Sequence, residues 1–383
     1  MSKATEVTSI RRLAGLFNSS RSSATNPAVP TAAAVTSSKS IDEVSKFQNL
    51  VHRFKKSSKS SKFRNYNRTA YFNTVLRLAS AKQFSLIDDI LQHQKKYEEI
   101  SQEGFVIRLM TLYGKAGMYE QAHKLFNEMP ELKCQRTVNS FNALLAAYLH
   151  SKKFINAGEL LEQLPEKLGI EPDLISYNTV IKAYCEMGSM DSALSMVDTL
   201  EKKGLEPDII TFNTLLDGFF SRGRIVDGDE IWGLMEKKNV VPDIRTYNSK
   251  LRGLVHGNKV LEAVEFFEEM KNKGIEPDIH SYNALITGYC DEGNLEQVKH
   301  WYGELKKSYK PDRATYCKVL SFLRKKNELE MASEICKEAM DRRLISGVTW
   351  MDKLVSESRI EEAIQFVESG LSRSALKLRF PCP

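Results

Sequence analysis

Five asparagines, Asn142, Asn178, Asn213, Asn248 and Asn283, each follow an aromatic residue and stand 36, 35, 35 and 35 positions apart. A primary amide carries two donor hydrogens and an acceptor oxygen, enough to read the Watson–Crick edge of a nucleobase. Each is followed 29 to 31 residues later by an aspartate that sits after a proline: Asp173, Asp208, Asp243, Asp278 and Asp312. A carboxylate there accepts hydrogen bonds, either from a bound partner or, as an N-cap, from the first turn of the next helix. Asparagine is a poor residue for a helix interior. Five at one point of a recurring pattern therefore suggest recognition more than folding.

Other chemistry is not written in the chain. There is no G-x-x-x-x-G-K-[ST], G-x-G-x-x-G, H-E-x-x-H or G-x-S-x-G, so no phosphate loop, zincin site or nucleophile elbow is expected. The six cysteines (Cys134, Cys185, Cys290, Cys317, Cys336, Cys382) are scattered with no C-x-x-C, which predicts reduced thiols packed between helices and not a metal or a disulfide framework. No apolar run approaches the ~18 residues of a membrane span. The expectation is a binding protein with no catalytic residues, no cofactor, no metal, no small-molecule substrate and no membrane contact.

What must position the asparagines is a repeat of about 35 residues. In Ile209 to Gly223, apolar residues recur at helical spacing until the glycine stops the helix. A second amphipathic run carries Val226, Ile231, Trp232 and Met235, and Pro242-Asp243 then breaks the chain. Each unit is a helix, a turn, a helix and a loop. Neither helix can hide its apolar stripe alone, so units must stack. The aromatics preceding each asparagine, and Tyr316, are read as core.

These residues closely resemble the pentatricopeptide repeat family, best in Leu174–Asp208, where Ser176-Tyr-Asn-Thr-Val-Ile, Cys185, Gly188, Ala193 and Gly204-Leu-Glu-Pro-Asp208 fall in the family register. The resemblance implies an all-α, right-handed superhelical solenoid of helix-turn-helix repeats. About nine are expected over residues 69–370, best matched at 138–312, with a short basic tail at 371–383. It further implies single-stranded RNA as partner, one base per repeat, read by the fifth and last residues: Asn142 with Asp173, Asn178 with Asp208, Asn213 with Asp243, Asn248 with Asp278, Asn283 with Asp312. In this family that combination is associated with uridine. The second residue of each repeat is implied to sandwich bases. Ile175 and Ile210 fit that pattern, whereas Arg245 and His280 depart from its apolar norm, as does Asn139; Ile107 and Cys317 replace the asparagine in outer units. The tetratricopeptide pattern W-x-x-L-G is absent, which disfavours a peptide binder. So are the H-x-E and C-x-x-C of the deaminase domain that some family members carry.

The charge is uneven. The net is +6, but residues 1–43 carry +2, residues 44–87 carry +10 and the remainder −6. Attraction to phosphate must come from the basic stretch or from a local face. Residues 1–45 are Arg- and Ser-rich, acid-poor and amphipathic around Val7, Ile10, Ala14 and Phe17, the pattern of an organellar transit peptide followed by a disordered segment. The mitochondrion is favoured over the chloroplast. Residues 46–68 are read as a basic linker, either solvated or gripping RNA. The partner RNA is then a mitochondrial mRNA or rRNA. The alternative role is a structural, rRNA-binding component of the mitochondrial ribosomal small subunit, touching ribosomal proteins as well, since short family members without catalytic domains look like those of plant mitochondrial ribosomes.

Overall fold

The computed structural model describes residues 32–342 and Leu344. It contains two units, residues 1–59 and residues 60–383. The first unit, where described, is one helix, α1 (Ala32–Ser57). The second begins with the short α2 (Ser61–Tyr66) and continues as helix pairs. The pairs are α3 (Arg68–Ser80) with α4 (Phe84–Gln92), α5 (Glu103–Lys115) with α6 (Tyr119–Glu128), α7 (Val138–His150) with α8 (Phe154–Leu168), and α9 (Leu174–Met187) with α10 (Met190–Lys202). Then follow α11 (Ile209–Phe220) with α12 (Ile225–Lys237), α13 (Ile244–His256) with α14 (Val260–Asn272), α15 (Ile279–Glu292) with α16 (Leu295–Ser308), and α17 (Arg313–Lys325) with α18 (Leu329–Asp341). No strand occurs among the described residues.

The backbone itself keeps the repeat. A left-handed residue follows each first helix: Lys82, Gly117, Lys152, Gly188, Gly223, Asn258, Gly293 and Asn327. Only a residue at positive φ reverses the chain this tightly, and glycine and asparagine adopt it at least cost. At the other end of the unit, proline denies the second helix a donor and aspartate caps the next first helix. Asp173, Asp208, Asp243, Asp278 and Asp312 are all N-caps with reciprocal capping boxes.

First helices of the second unit pack on the first helices before and after them and on their own second helices. The aromatics before the asparagines fill that seam, and Phe141, Phe212 and Tyr316 are essentially inaccessible. Close approach needs small residues: a Cβ on Gly253 would lie 2.6 Å from Phe220 Cβ. Around Tyr247, Trp232 meets the ring edge-on at 5.1 Å and Phe266 stacks at 5.4 Å, contacts worth about 0.5–1.5 kcal/mol each beyond their burial.

Several sequence expectations fall differently. The stretch 46–68, read as a basic linker, is largely helical, since α1 and α2 occupy most of it. Arg64, one of the bases of that stretch, is buried, donating to Glu99 Oε1 at 2.8 Å and lying 4.0 Å over the Tyr97 ring. A buried guanidinium must be paired, so this one fastens the start of the array. α1 also begins inside the segment expected to be disordered. Cys134, Cys185 and Cys336 are buried as expected and burial pushes the Cys185 thiol up to about 12, but Cys317 is exposed. The amphipathic stretch expected of a transit peptide, the truncated repeat expected at 347–370, the expected basic tail and Cys382 lie outside the described residues.

Candidate nucleic-acid interface

The asparagines and aspartates meet, and they meet across the repeat boundary. Nδ2 of Asn142 donates to Asp173 Oδ1 at 3.0 Å, and the same bond joins Asn178 to Asp208 (3.3 Å), Asn213 to Asp243 (3.0 Å) and Asn248 to Asp278 (3.0 Å). In the fifth unit the Asn283 side chain acts on Asp312 and helps to lower its pKa. Each bond runs from the first helix of one unit to the N-cap of the next first helix. A third side chain closes the arrangement. The hydroxyl at the third helical position, Ser176, Thr211, Thr246, Ser281 or Thr315, donates to the Oδ1 of the preceding unit's asparagine at 2.5 to 2.7 Å.

Two consequences follow for the chemistry on offer. In the first four aspartates every bond received from these groups falls on Oδ1, from the asparagine amide and from the backbone N–H of the hydroxyl residue. Oδ2 is unused. In these four units the asparagine spends its oxygen on the hydroxyl and one hydrogen on the carboxylate, which leaves one N–H. A dyad of one donor and one acceptor remains per unit, complementary to a carbonyl beside a ring N–H, the imide edge of uracil. Access is narrow, since Asn142 and Asn178 are 9% exposed and Asn248 4%.

Two of the carboxylates, Asp243 and Asp312, are held toward the charged form. Burial raises the Asp243 pKa, but the backbone N–H of Thr246, the Asn213 amide, the Thr246 hydroxyl and the Arg245 N–H together hold it below the usual carboxylate value. Asp312 is lowered on the same balance by Thr315, Asn283 and the charge of His280.

Of the residues singled out in sequence, Ile210, Asn213, Asp243, Arg245, Asn248, Asp278 and His280 line one groove of about 660 Å³ along α11 and α13. Asn142 with Asp173 and Asn178 with Asp208 repeat the geometry in neighbouring units outside that groove, where Asn283 and Asp312 also lie. The second-position residues are exposed, Ile175 by 60% and Ile210 by 57%. An isoleucine so exposed on a first helix offers an apolar face to a planar ligand. Arg245, His280 and Asn139 are exposed at the same register and offer polar ones.

Sequence reasoning missed the hydroxyls and the cations. Lys182, Arg222 and Arg252 also line the groove. Arg252 pairs with Asp217, whereas Arg222 donates to the carbonyls of Glu186 at 3.0 Å and Gly218 at 3.2 Å. The signal for the hydroxyls is present, a serine or threonine three residues after every one of these Pro-Asp pairs, but local capping accounts for it without pointing to a neighbouring unit. In the outer unit where Ile107 replaces the asparagine, Glu103 accepts from the backbone and hydroxyl of Thr137 instead. Among the described residues no cluster of His, Cys, Asp or Glu could hold a metal, and no helix is long and apolar enough to cross a membrane.

Residues 172–325 match the PPR repeat family in four overlapping spans (172–221, 207–256, 242–291 and 277–325), and residues 108–134 match a further PPR repeat. The chain is 56% identical over 151 residues, 39% of its length, to the Arabidopsis thaliana pentatricopeptide repeat-containing protein At3g13150, covering 27% of that protein. It is 51% identical over 152 residues to the small ribosomal subunit protein mS78 (rPPR3a) of the same plant and 48% identical to mS79 (rPPR3b), covering 38% of each and 40% of this chain. The match thus spans well under half the length of these relatives.

Proposed function

We propose that this chain, whose helix pairs are pentatricopeptide repeats, binds single-stranded RNA in the mitochondrion and reads it one base per repeat with a preference for uridine. The observation that carries the reading is the recurrent dyad: Asn213 with Asp243 and Asn248 with Asp278 line one groove, each offering one free N–H and one free carboxylate oxygen. A uracil imide satisfies both groups at once. The exposed Ile175 and Ile210 give neighbouring bases an apolar surface, and the groove cations Lys182 and Arg222 meet the backbone. The work done on the RNA is non-catalytic and belongs to RNA metabolism or translation.

A second reading is favoured by the two relatives named as small ribosomal subunit proteins. In it the chain is a structural, rRNA-binding component of the mitochondrial small subunit. Crosslinking of the tagged full chain in purified mitochondria, followed by sequencing of the bound RNA, separates the two. Reads concentrated on one rRNA region select the ribosomal role, and uridine-rich peaks in a few mRNAs select a transcript-specific factor. Absence of RNA above background would sink both.

A further inference from the structure

We infer that the buried hydroxyls of Ser176, Thr211, Thr246, Ser281 and Thr315 are positioning residues for base selection, so that each reading unit is a triad spanning two repeats and not a pair. The inference rests on the RNA reading above and deepens it. These hydroxyls are at most 1% exposed and cannot touch a ligand. Their action is on the amide. In each unit the hydroxyl oxygen lies 2.5 to 2.7 Å from the asparagine Oδ1 and 2.8 to 3.2 Å from the aspartate Oδ1. It has one proton to give. In the four units with the full set of bonds, the aspartate oxygen is already occupied by a backbone N–H and the asparagine amide, so the proton goes to the nearer asparagine carbonyl. The same hydroxyl accepts the backbone N–H of the aspartate at 3.0 to 3.3 Å.

With its carbonyl held and one hydrogen committed, the asparagine can show a ligand only its remaining N–H. The side chain of asparagine is otherwise ambiguous, a donor from one side and an acceptor from the other. Fixing it converts an ambiguous reader into a donor, and with the free aspartate oxygen it makes the donor-acceptor order that uracil matches. Removing the hydroxyl frees the amide to turn. Affinity then survives on stacking and phosphate contact, and selectivity does not.

The test compares the full wild-type chain with the Thr211→Val/Thr246→Val and Thr211→Ser/Thr246→Ser pairs, titrated with short oligouridine, oligocytidine and oligoadenosine. The valine pair is expected to lose about tenfold of the preference for uridine, the worth of one hydrogen bond of ordinary strength. Its binding to oligocytidine should be unchanged, and the serine pair should keep the wild-type preference. A merely structural role would lower the melting temperature and weaken all three oligomers alike, and that outcome overturns the inference, as does a valine pair that still selects uridine. If the double valine variant fails to fold, the single Thr246→Val chain, with far-UV dichroism as control, is titrated with oligouridine carrying single cytidine replacements and decides by the same criterion. A wild-type chain that binds no oligomer refutes the RNA reading itself, a result distinct from loss of selectivity.

Discussion

Asn213 Nδ2 donates to Asp243 Oδ1 at 3.0 Å across the boundary between two repeats, while Asp243 simultaneously caps α13. The bond explains why asparagine recurs inside the first helices: the amide reaches sideways, out of its own helix, to the cap of the next one. It gives the pair a structural role without exhausting its hydrogen-bonding capacity. Whether the array is held together and whether it can read a base are therefore linked through the same atoms.

Replacing Asn213 and Asn248 by alanine should cost about 1–3 kcal/mol of stability per site, because each change strands an acceptor and a buried hydroxyl. Helix content should not change, since no backbone bond is lost. Affinity for oligouridine should fall about tenfold or more, while the affinity for oligocytidine changes less. Far-UV dichroism and RNA titration check both halves, and unaltered uridine binding by the folded variant would refute base reading by these units.

The lowered Asp243 and Asp312 predict an acid-labile array. Below neutral pH the unfolded chain takes up protons first, around the ordinary aspartate value of about 3.9, while the folded groups resist. Their stabilisation is present above that value and lost as pH falls through the lower, folded one. Melting temperature should hold level from about pH 7 to about pH 5 and drop below about pH 4. The Asp243→Asn/Asp312→Asn pair should melt lower at neutral pH, because the charge-assisted cap is weaker, yet show a shallower acid decline. Equal declines in both proteins would mean that other carboxylates set the acid limit.

Much of this was legible beforehand. The 35-residue spacing, the Pro-Asp stops and the glycines Gly188 and Gly223, both left-handed in the structure, gave the helix pairs, because these are local signals. The five asparagines and their aspartates were also found in sequence. What stayed hidden were relationships between units. The hydroxyl of Thr246 and the amide of Asn213 are 33 residues apart, and nothing local shows that the third and fifth positions of successive helices face each other. Arg64 misled for the converse reason: a basic run looks solvated until Glu99, 35 residues on, is seen to bury one of its charges.

Gly223 and Gly253 should resist substitution for different physical reasons. Gly223 sits at φ +69° with open space around its missing Cβ, so Gly223→Val is expected to cost about 1–2 kcal/mol through the backbone alone. Gly223→Asn should be nearly neutral, because Asn258 adopts φ +57° at the same place one unit later. At Gly253 the backbone is helical and alanine improves helix propensity by about 1 kcal/mol. Its Cβ would nevertheless press to 2.6 Å from Phe220, and overpacking of about 1–3 kcal/mol should win. Denaturant melts of Gly223→Val, Gly223→Asn and Gly253→Ala give the comparison, and a stabilised Gly253→Ala would show that α11 and α13 can move apart.

The groove cations make the last prediction electrostatic. Arg222 lines the groove and bonds carbonyls, so its charge is not cancelled by a carboxylate, whereas Arg252 is paired with Asp217. A phosphate contact on single-stranded RNA contributes about 0.7 to the slope of log affinity against log salt. Arg222→Ala should therefore lower that slope by about 0.7 and weaken oligouridine and oligocytidine equally, since phosphates carry no sequence. Asp217→Asn should act the other way: it releases Arg252 toward the backbone, removes a negative charge from the groove, tightens binding to every oligomer and steepens the slope. Affinities measured over a range of potassium chloride concentrations decide it. An Arg222→Ala chain with the wild-type slope would place the RNA backbone away from α11.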